Sequence, residues 1–292
     1  MRVIFATLLV LCPIAGAYSG DEPISRMVTV DGIGVHYLET GQGPETILLV
    51  HGWCGSSADF HPTLRFMPPE VRCIAVDLPG CGESAKPDIE YSIPLFVDFL
   101  SSFSLALGLD RFVLLGHSMG GHVSAHFVRK HPEMVTKLIL VDPYGLEGEE
   151  GAWLALTKVG LLVDAGFRFN TRLFIEMAIR GNLLYRPSQE TVKWLVDSTA
   201  KNIMGPEASR ATAAITRNVI GHDPVDDILP GIAQSTLVIW GENDSLLQHR
   251  WAEKFVTLLP NASLSTVPEC GHMPTLEKPH EVAGLIVDFL GR

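Results

Sequence analysis

Ten residues constrain this chain more than any others: Phe112–Gly121, F-V-L-L-G-H-S-M-G-G. An apolar run stops at Gly116, a serine stands at 118, and an amphipathic stretch, Val123–Lys130, follows. The run reads as a buried strand, the stretch as a helix, and the residues between as a tight turn. Glycines at 116 and 120 let backbones crowd around that turn. The hydroxyl of Ser118 is thereby pushed into the open in strained geometry. The N–H of Met119 then lies at a helix N-terminus, where an anion is favoured. This strand, turn and helix form the context that a nucleophile elbow requires.

The same rhythm runs along most of the chain. Residues 26–40 alternate as two short strands around a turn at Asp31-Gly32. Thr46–Val50, Val71–Val76, Leu138–Val141 and Thr236–Trp240 are continuous apolar runs, the pattern of strands buried on both faces. Helical patterns lie between and after them at Phe96–Leu107, Ala252–Leu258 and Glu281–Leu290. Such alternation predicts an α/β fold, a doubly wound and mostly parallel sheet. From about Gly145 to Gly221 the strand pattern disappears. Helical stretches at Trp153–Val163, Arg172–Ile179 and Glu190–Lys201 replace it. The expected organisation is a core of residues 25–144 plus 222–292, with a helical cap insertion at 145–221 over the strand ends.

Polar groups follow almost every apolar strand. His51-Gly52-Trp53 follows one, Asp77-Leu78-Pro79-Gly80 another, and Asp142 a third. Gly241-Glu242-Asn243-Asp244 follows Thr236–Trp240, and Cys270-Gly271-His272-Met273 follows a further short strand at Leu264–Val267. Strands of a parallel sheet release their loops at one edge, so these groups can converge there. A serine hydroxyl is a weak nucleophile until a base takes its proton, and an imidazole held by a carboxylate suits that task.

The blocks H-G-W, D-x-x-G-x-G-x-S, G-H-S-M-G-G, G-x-x-D and G-H-M-P stand in order over roughly residues 25–290. In them the chain resembles the capped α/β-hydrolases, whose triad runs in the order serine, acid, histidine. The resemblance implies Ser118 as nucleophile, His272 as base and Asp244 as the acid that orients it. It implies an oxyanion hole formed by the N–H groups of Trp53 and Met119. Asp142 is the alternative acid, because some relatives take theirs from that strand end. His51 reads as a brace for its loop, His117 as the filler of the elbow, and His122 as a packing group. Asp77 reads as a stabiliser of a tight turn.

Serine at 118 separates the chain from relatives with an aspartate nucleophile, the dehalogenases and epoxide hydrolases. The H-G-W turn with G-H-S-M-G-G resembles carboxylesterases, small lipases and haloperoxidase-like enzymes. It also resembles carbon–carbon hydrolases of meta-cleavage products, which usually carry asparagine where this chain has His117. The favoured expectation is hydrolysis of a small-molecule ester with a small to medium apolar acyl group. Carbon–carbon hydrolysis is the alternative, and a non-catalytic ligand receptor is the alternative from another class.

With 22 Lys and Arg against 33 Asp and Glu the net charge is −11, which excludes a basic footprint for nucleic acid. Arg2, the apolar run Val3–Leu11 and Ala15-Gly16-Ala17 read as a signal peptide, residues 1–17. Export to the periplasm or the medium follows, with no stable membrane span after cleavage; an N-terminal anchor is the second choice. Cys54, Cys73, Cys81 and Cys270 would remain. Their spacings do not fit a zinc site, and neither a metal nor a cofactor is expected. They read as free thiols, with Cys54–Cys81 the one pairing that neighbouring loops could bring about.

Overall fold

The computed structural model describes residues 21–148 and 172–291. Eight strands form one sheet: β1 (Ile24–Val30), β2 (Ile33–Thr40), β3 (Glu45–Val50), β4 (Val71–Val76), β5 (Phe112–His117), β6 (Val135–Val141), β7 (Ser235–Gly241) and β8 (Ala262–Val267). Their spatial order is β1-β2-β4-β3-β5-β6-β7-β8. The β1/β2 and β2/β4 pairs are antiparallel and all others parallel. The first hairpin turns on Asp31 and Gly32, at φ 49° and 80°, the left-handed pair that a two-residue hairpin needs. The order reverses at β3, which lies between β4 and β5. The loops after β3 and β5 therefore open into one crevice at the carboxyl edge.

The described helices are α1 (His61–Leu64), α2 (Ile93–Ala106), α3 (Met119–Lys130), α4 (Arg172–Ala178), α5 (Gln189–Ile203), α6 (Pro206–Asn218), α7 (Arg250–Leu258), α8 (Pro274–Glu277) and α9 (Pro279–Leu290). Side chains alternate across the sheet. Leu48, Val50, Leu114, Leu138 and Leu140 join Phe96 and Phe103 of α2 and Phe127 of α3 in one core cluster. Ile47, Leu49, Val113, Leu115 and Ile139 join Leu64 of α1 and Ile286 and Phe289 of α9 in another. Each such buried side chain is worth about 1.5–3 kcal/mol against exposure. Cys73 belongs to the second cluster, and all four described cysteines are free thiols.

Helices α4, α5 and α6 lie in the chain between β6 and β7. Ile175, Ile179, Val192, Leu195, Val196 and Ile203 make a cluster of their own there, which Met273 joins from the loop after β8. The helical stretches read at Arg172–Ile179 and Glu190–Lys201 fall on α4 and α5. The stretch Trp153–Val163 and the leader at 1–17 lie outside the described residues. Among the described residues no helix is long and apolar enough to cross a membrane. Two helices start earlier than their apolar pattern. The hydroxyl of Ser92 accepts the Leu95 N–H and caps α2, and α3 begins at Met119, straight after the turn.

The turn into α3 depends on missing side chains. A Cβ on Gly120 would lie 2.1 Å from the Val50 carbonyl oxygen, and one on Gly116 2.3 Å from that of Gly120. The first turn of α3 is thus pressed onto the end of β3 with backbone alone between them. On either side lie two buried histidines. The Nε2–H of His117 donates to the His272 carbonyl at 2.8 Å, and that of His122 to the Asp223 carbonyl at 2.7 Å. Burial, with smaller effects from neighbouring rings, pushes both down to about 3.

Two outcomes follow. Gly120→Ala places a methyl group inside a backbone contact and should lower stability by about 2 kcal/mol or more in a urea titration. The buried histidines make the unfolded chain bind protons that the folded chain refuses below the ordinary histidine value of about 6.5. Stability should therefore fall as pH drops from about 6.5 towards 3, with each histidine adding about 1.4 kcal/mol per pH unit. His122→Gln should flatten this slope; an unchanged slope in the variant would contradict the assignment.

Candidate active site

Ser118 follows β5 with φ 53° and ψ −120°, a conformation rare for a residue with a side chain. Hydrogen bonds hold it there. Its N–H donates to the Val141 carbonyl at 3.0 Å. Its carbonyl accepts from Gly121, His122 and Tyr144 at 2.8, 3.2 and 3.1 Å. Holding such a backbone costs on the order of 1–3 kcal/mol, which the surrounding bonds offset. The first N–H groups of α3, those of Met119 and Gly120, have no acceptor within the helix and point out at its start.

His272 comes from the loop after β8. Its Nδ1 lies 2.7 Å from Asp244 Oδ2, and both side chains are buried. The other Asp244 oxygen, Oδ1, accepts the N–H groups of Leu246 and Leu247 at 2.8 and 2.9 Å. Both oxygens are committed, so the carboxylate is fixed and Nδ1 carries the hydrogen. Nε2 is then the nitrogen left to act as a base. The His272 ring packs against that of His117, with centroids 5.0 Å apart, which brings the imidazole beside the residue that precedes Ser118.

The loop that carries His272 is tied down by groups that sequence reasoning did not single out. Glu277 Oε1 accepts the N–H groups of Gly271 and Met273 at 3.0 and 3.2 Å, and Oε2 accepts that of Tyr185 at 2.7 Å. Burial raises its pKa, while these N–H groups act in the opposite direction. The His272 N–H donates to the Leu183 carbonyl at 2.8 Å. The signal for Glu277 is slight, an acid three residues after a proline that opens a short helix.

Asp142, the alternative acid of the sequence, lies beside this pair but is not the carboxylate bound to His272. It accepts the Gly241 N–H at 2.9 Å, and no imidazole among the described residues is bound to it. Atoms of Asp142, Asp244 and His272 lie within 4.8 Å of one another, close enough to bracket a metal ion. The two backbone N–H groups and the imidazole on Asp244 account for its oxygens without one.

Trp53 follows Gly52 near the start of the loop after β3. A Cβ on Gly52 would come within 3.1 Å of Ser118 Cβ, so this loop lies directly against the elbow. The Trp53 indole N–H donates to Thr216 Oγ1 of α6 at 2.8 Å. His51 braces the loop: its ring bonds the Gly52 carbonyl at 2.8 Å, and its Nε2 accepts the Leu78 N–H at 3.1 Å. Asp77 accepts the N–H groups of Ser57 and Glu83 at 2.6 and 2.8 Å and meets His36 at 2.8 Å. Burial pushes its pKa up, but these bonds and the nearby His51 together hold it below the ordinary value. A narrow crevice lies over Trp53 and Met119, lined also by Cys54, Cys81, Ile203 and Ile215.

The model of the alpha/beta hydrolase family matches residues 47–285. The 2-hydroxy-6-oxo-6-(2'-aminophenyl)hexa-2,4-dienoic acid hydrolase of Metapseudomonas resinovorans is 28% identical over 286 residues, 92% of this chain and 91% of the relative. Monoacylglycerol lipase ABHD6 of Mus musculus is 27% identical over 263 residues, 84% of this chain and 75% of the relative. Among solved structures, a thermophilic esterase from Thermogutta terrifontis superposes with a TM-score of 0.79 at 25% identity, covering 91% of this chain and 98% of that one. The sheet, the strained serine turn and the paired histidine and aspartate are thus accompanied by sequence similarity over most of the chain, which belongs to the alpha/beta hydrolase family.

Proposed function

We propose that this hydrolase cleaves carboxylic esters of small to medium apolar acyl groups through an acyl-enzyme on Ser118. The observation that carries the reading is the 2.7 Å pair of His272 and Asp244, on the sheet edge where Ser118 is held in its strained turn. In this mechanism Ser118 Oγ bonds the ester carbonyl carbon while its proton passes to His272 Nε2. The N–H groups of Trp53 and Met119 receive the resulting alkoxide; losing one such donor costs about 3–4 kcal/mol of barrier. The carbon–oxygen bond then breaks, and the imidazolium returns its proton to the leaving alcohol. A water that gives its proton to His272 attacks the acyl group, releases the acid and restores the serine.

The described lining of the crevice is apolar apart from Asn202 and Thr212, which suits an apolar acyl group. The Metapseudomonas relative is named for a dienoic acid, whose carboxylate calls for a cation or several donors beside it. Carbon–carbon hydrolysis is the second reading, because similarity to that relative matches similarity to the lipase. Export through the leader at residues 1–17 belongs to the same proposal.

Purified protein should hydrolyse p-nitrophenyl acetate and butyrate faster than long-chain esters, and Ser118→Ala should lower turnover by at least about 10⁴-fold. Equal rates in both proteins would overturn the reading. Faster cleavage of a dienoate than of any ester would carry the second reading, and binding without turnover would make the chain a receptor. N-terminal sequencing of the exported protein should begin at Tyr18; retention of Met1 would remove the export proposal.

A further inference from the structure

Asp142 ends β6 and takes no part in the steps above. It is fully buried, and its φ of 40° keeps it in a conformation that few side-chain-bearing residues adopt. Its N–H donates to the Ile239 carbonyl and its Oδ1 accepts the Gly241 N–H, both at 2.9 Å. Among the described residues its Oδ2 meets no N–H or O–H donor. What the side chain faces is Asp244 and His272, with an atom of each within 4.8 Å of the others.

A second bare carboxylate in that place would be buried, short of donors and set against a like charge, and a proton removes all three penalties. Asp244 is not the carrier: one oxygen already takes two N–H groups and the other takes the imidazole. We propose that Asp142 is a positioning residue that stays protonated and donates its O–H to the Asp244 carboxylate, so that the base is oriented by a hydrogen-bonded acid pair. The inference rests on the Ser118, His272 and Asp244 reading above. Burial and the neighbouring Asp244 push the Asp142 carboxyl well above the ordinary carboxylate range. Among the described residues, the titratable groups around it are Asp244 from the loop after β7, Cys270 and His272 from the loop after β8, and Glu277 from α8. None is a fixed cation that would hold a carboxylate charged.

A hydrogen bond into Asp244 draws charge from it and loosens its hold on an imidazolium. An asparagine at 142 reproduces both contacts, an N–H towards Asp244 and an oxygen for the Gly241 N–H. A leucine of similar size reproduces neither.

The experiment compares the pH dependence of kcat/KM for wild type, Asp142→Asn and Asp142→Leu on one p-nitrophenyl ester. It is combined with an infrared difference spectrum of wild type minus Asp142→Asn at pH 8. The expected result is a protonated-carboxyl band in the wild type that the asparagine variant lacks. The acid limb of Asp142→Leu should move up by about 0.5–1 pH unit, the direction that strengthening a carboxylate's hold on imidazolium gives. Asp142→Asn should restore the limb and at least tenfold of the activity lost in Asp142→Leu. Should the asparagine variant fail to fold, Asp142→Ser serves as the infrared reference. Absence of the band, or coincident acid limbs for the two variants, overturns the proposal. An inactive wild type, or full activity in Ser118→Ala, overturns the ester reading instead, and the infrared band still reports whether Asp142 holds its proton.

Discussion

Backbone contact between the start of α3 and the end of β3 governs the geometry at the carboxyl edge. The Val50 carbonyl oxygen would be 2.1 Å from a Cβ on Gly120, and Gly116 is closed off in the same way by Gly120 and Ser124. With helix and strand pressed so close, the turn between β5 and α3 shortens to one left-handed residue, Ser118. The loop after β3 is brought against it on one side and the end of β6 on the other. Ser118 is buried rather than pushed into the open, and its left-handed turn, the proximity of Trp53 and the start of α3 at Met119 all descend from this contact. A larger residue at either glycine would move all three together.

The second half of the site is fixed differently. Hydrogen bonds from several elements hold the loop after β8. His117 of β5 binds the His272 carbonyl, Leu183 takes the His272 N–H, and Glu277 gathers the N–H groups on either side. The aspartate of the pair is held by its own loop through Leu246 and Leu247. Elements between β6 and β7 take part as well: Glu277 also accepts the Tyr185 N–H, and Met273 packs among Ile203 and Leu195. The position of the His272 imidazole is therefore shared between the sheet and the helices between β6 and β7.

Much of this is legible in the sequence, for physical reasons that can be named. The apolar runs at Leu48, Leu114, Leu138 and Val238 are unbroken because those strands are covered on both faces, so their type and order can be read directly. Ser118 and Asp244 can be read because each follows such a run, whereas His272 follows the alternating strand Ala262–Val267 and is legible from its Gly-His-Met-Pro block. Choosing between Asp142 and Asp244 as the partner of His272 is a matter of side-chain direction, which spacing does not encode. Glu277 is harder still: in a sequence an acid near a helix start resembles a solvated charge, and only the fold turns it inward. Helix α6 is hard to read because Ala208, Ala211, Thr212 and Thr216 bury its inner face with small or hydroxylated side chains, leaving little apolar periodicity. The start of α3 is hidden by the glycines that make the turn possible.

The hydrogen bond from the Trp53 indole to Thr216 joins the loop beneath the crevice to the helix above it. Thr216 also donates to the Thr212 carbonyl one turn earlier, so its hydroxyl is oriented by its own helix and has a lone pair to offer the indole. The tryptophan thus spans the crevice, with its main chain beside the elbow and its ring on α6. Indole emission depends on the polarity and hydrogen bonding around the ring. This side chain is consequently a built-in optical gauge of the separation between α6 and the elbow, present without any label.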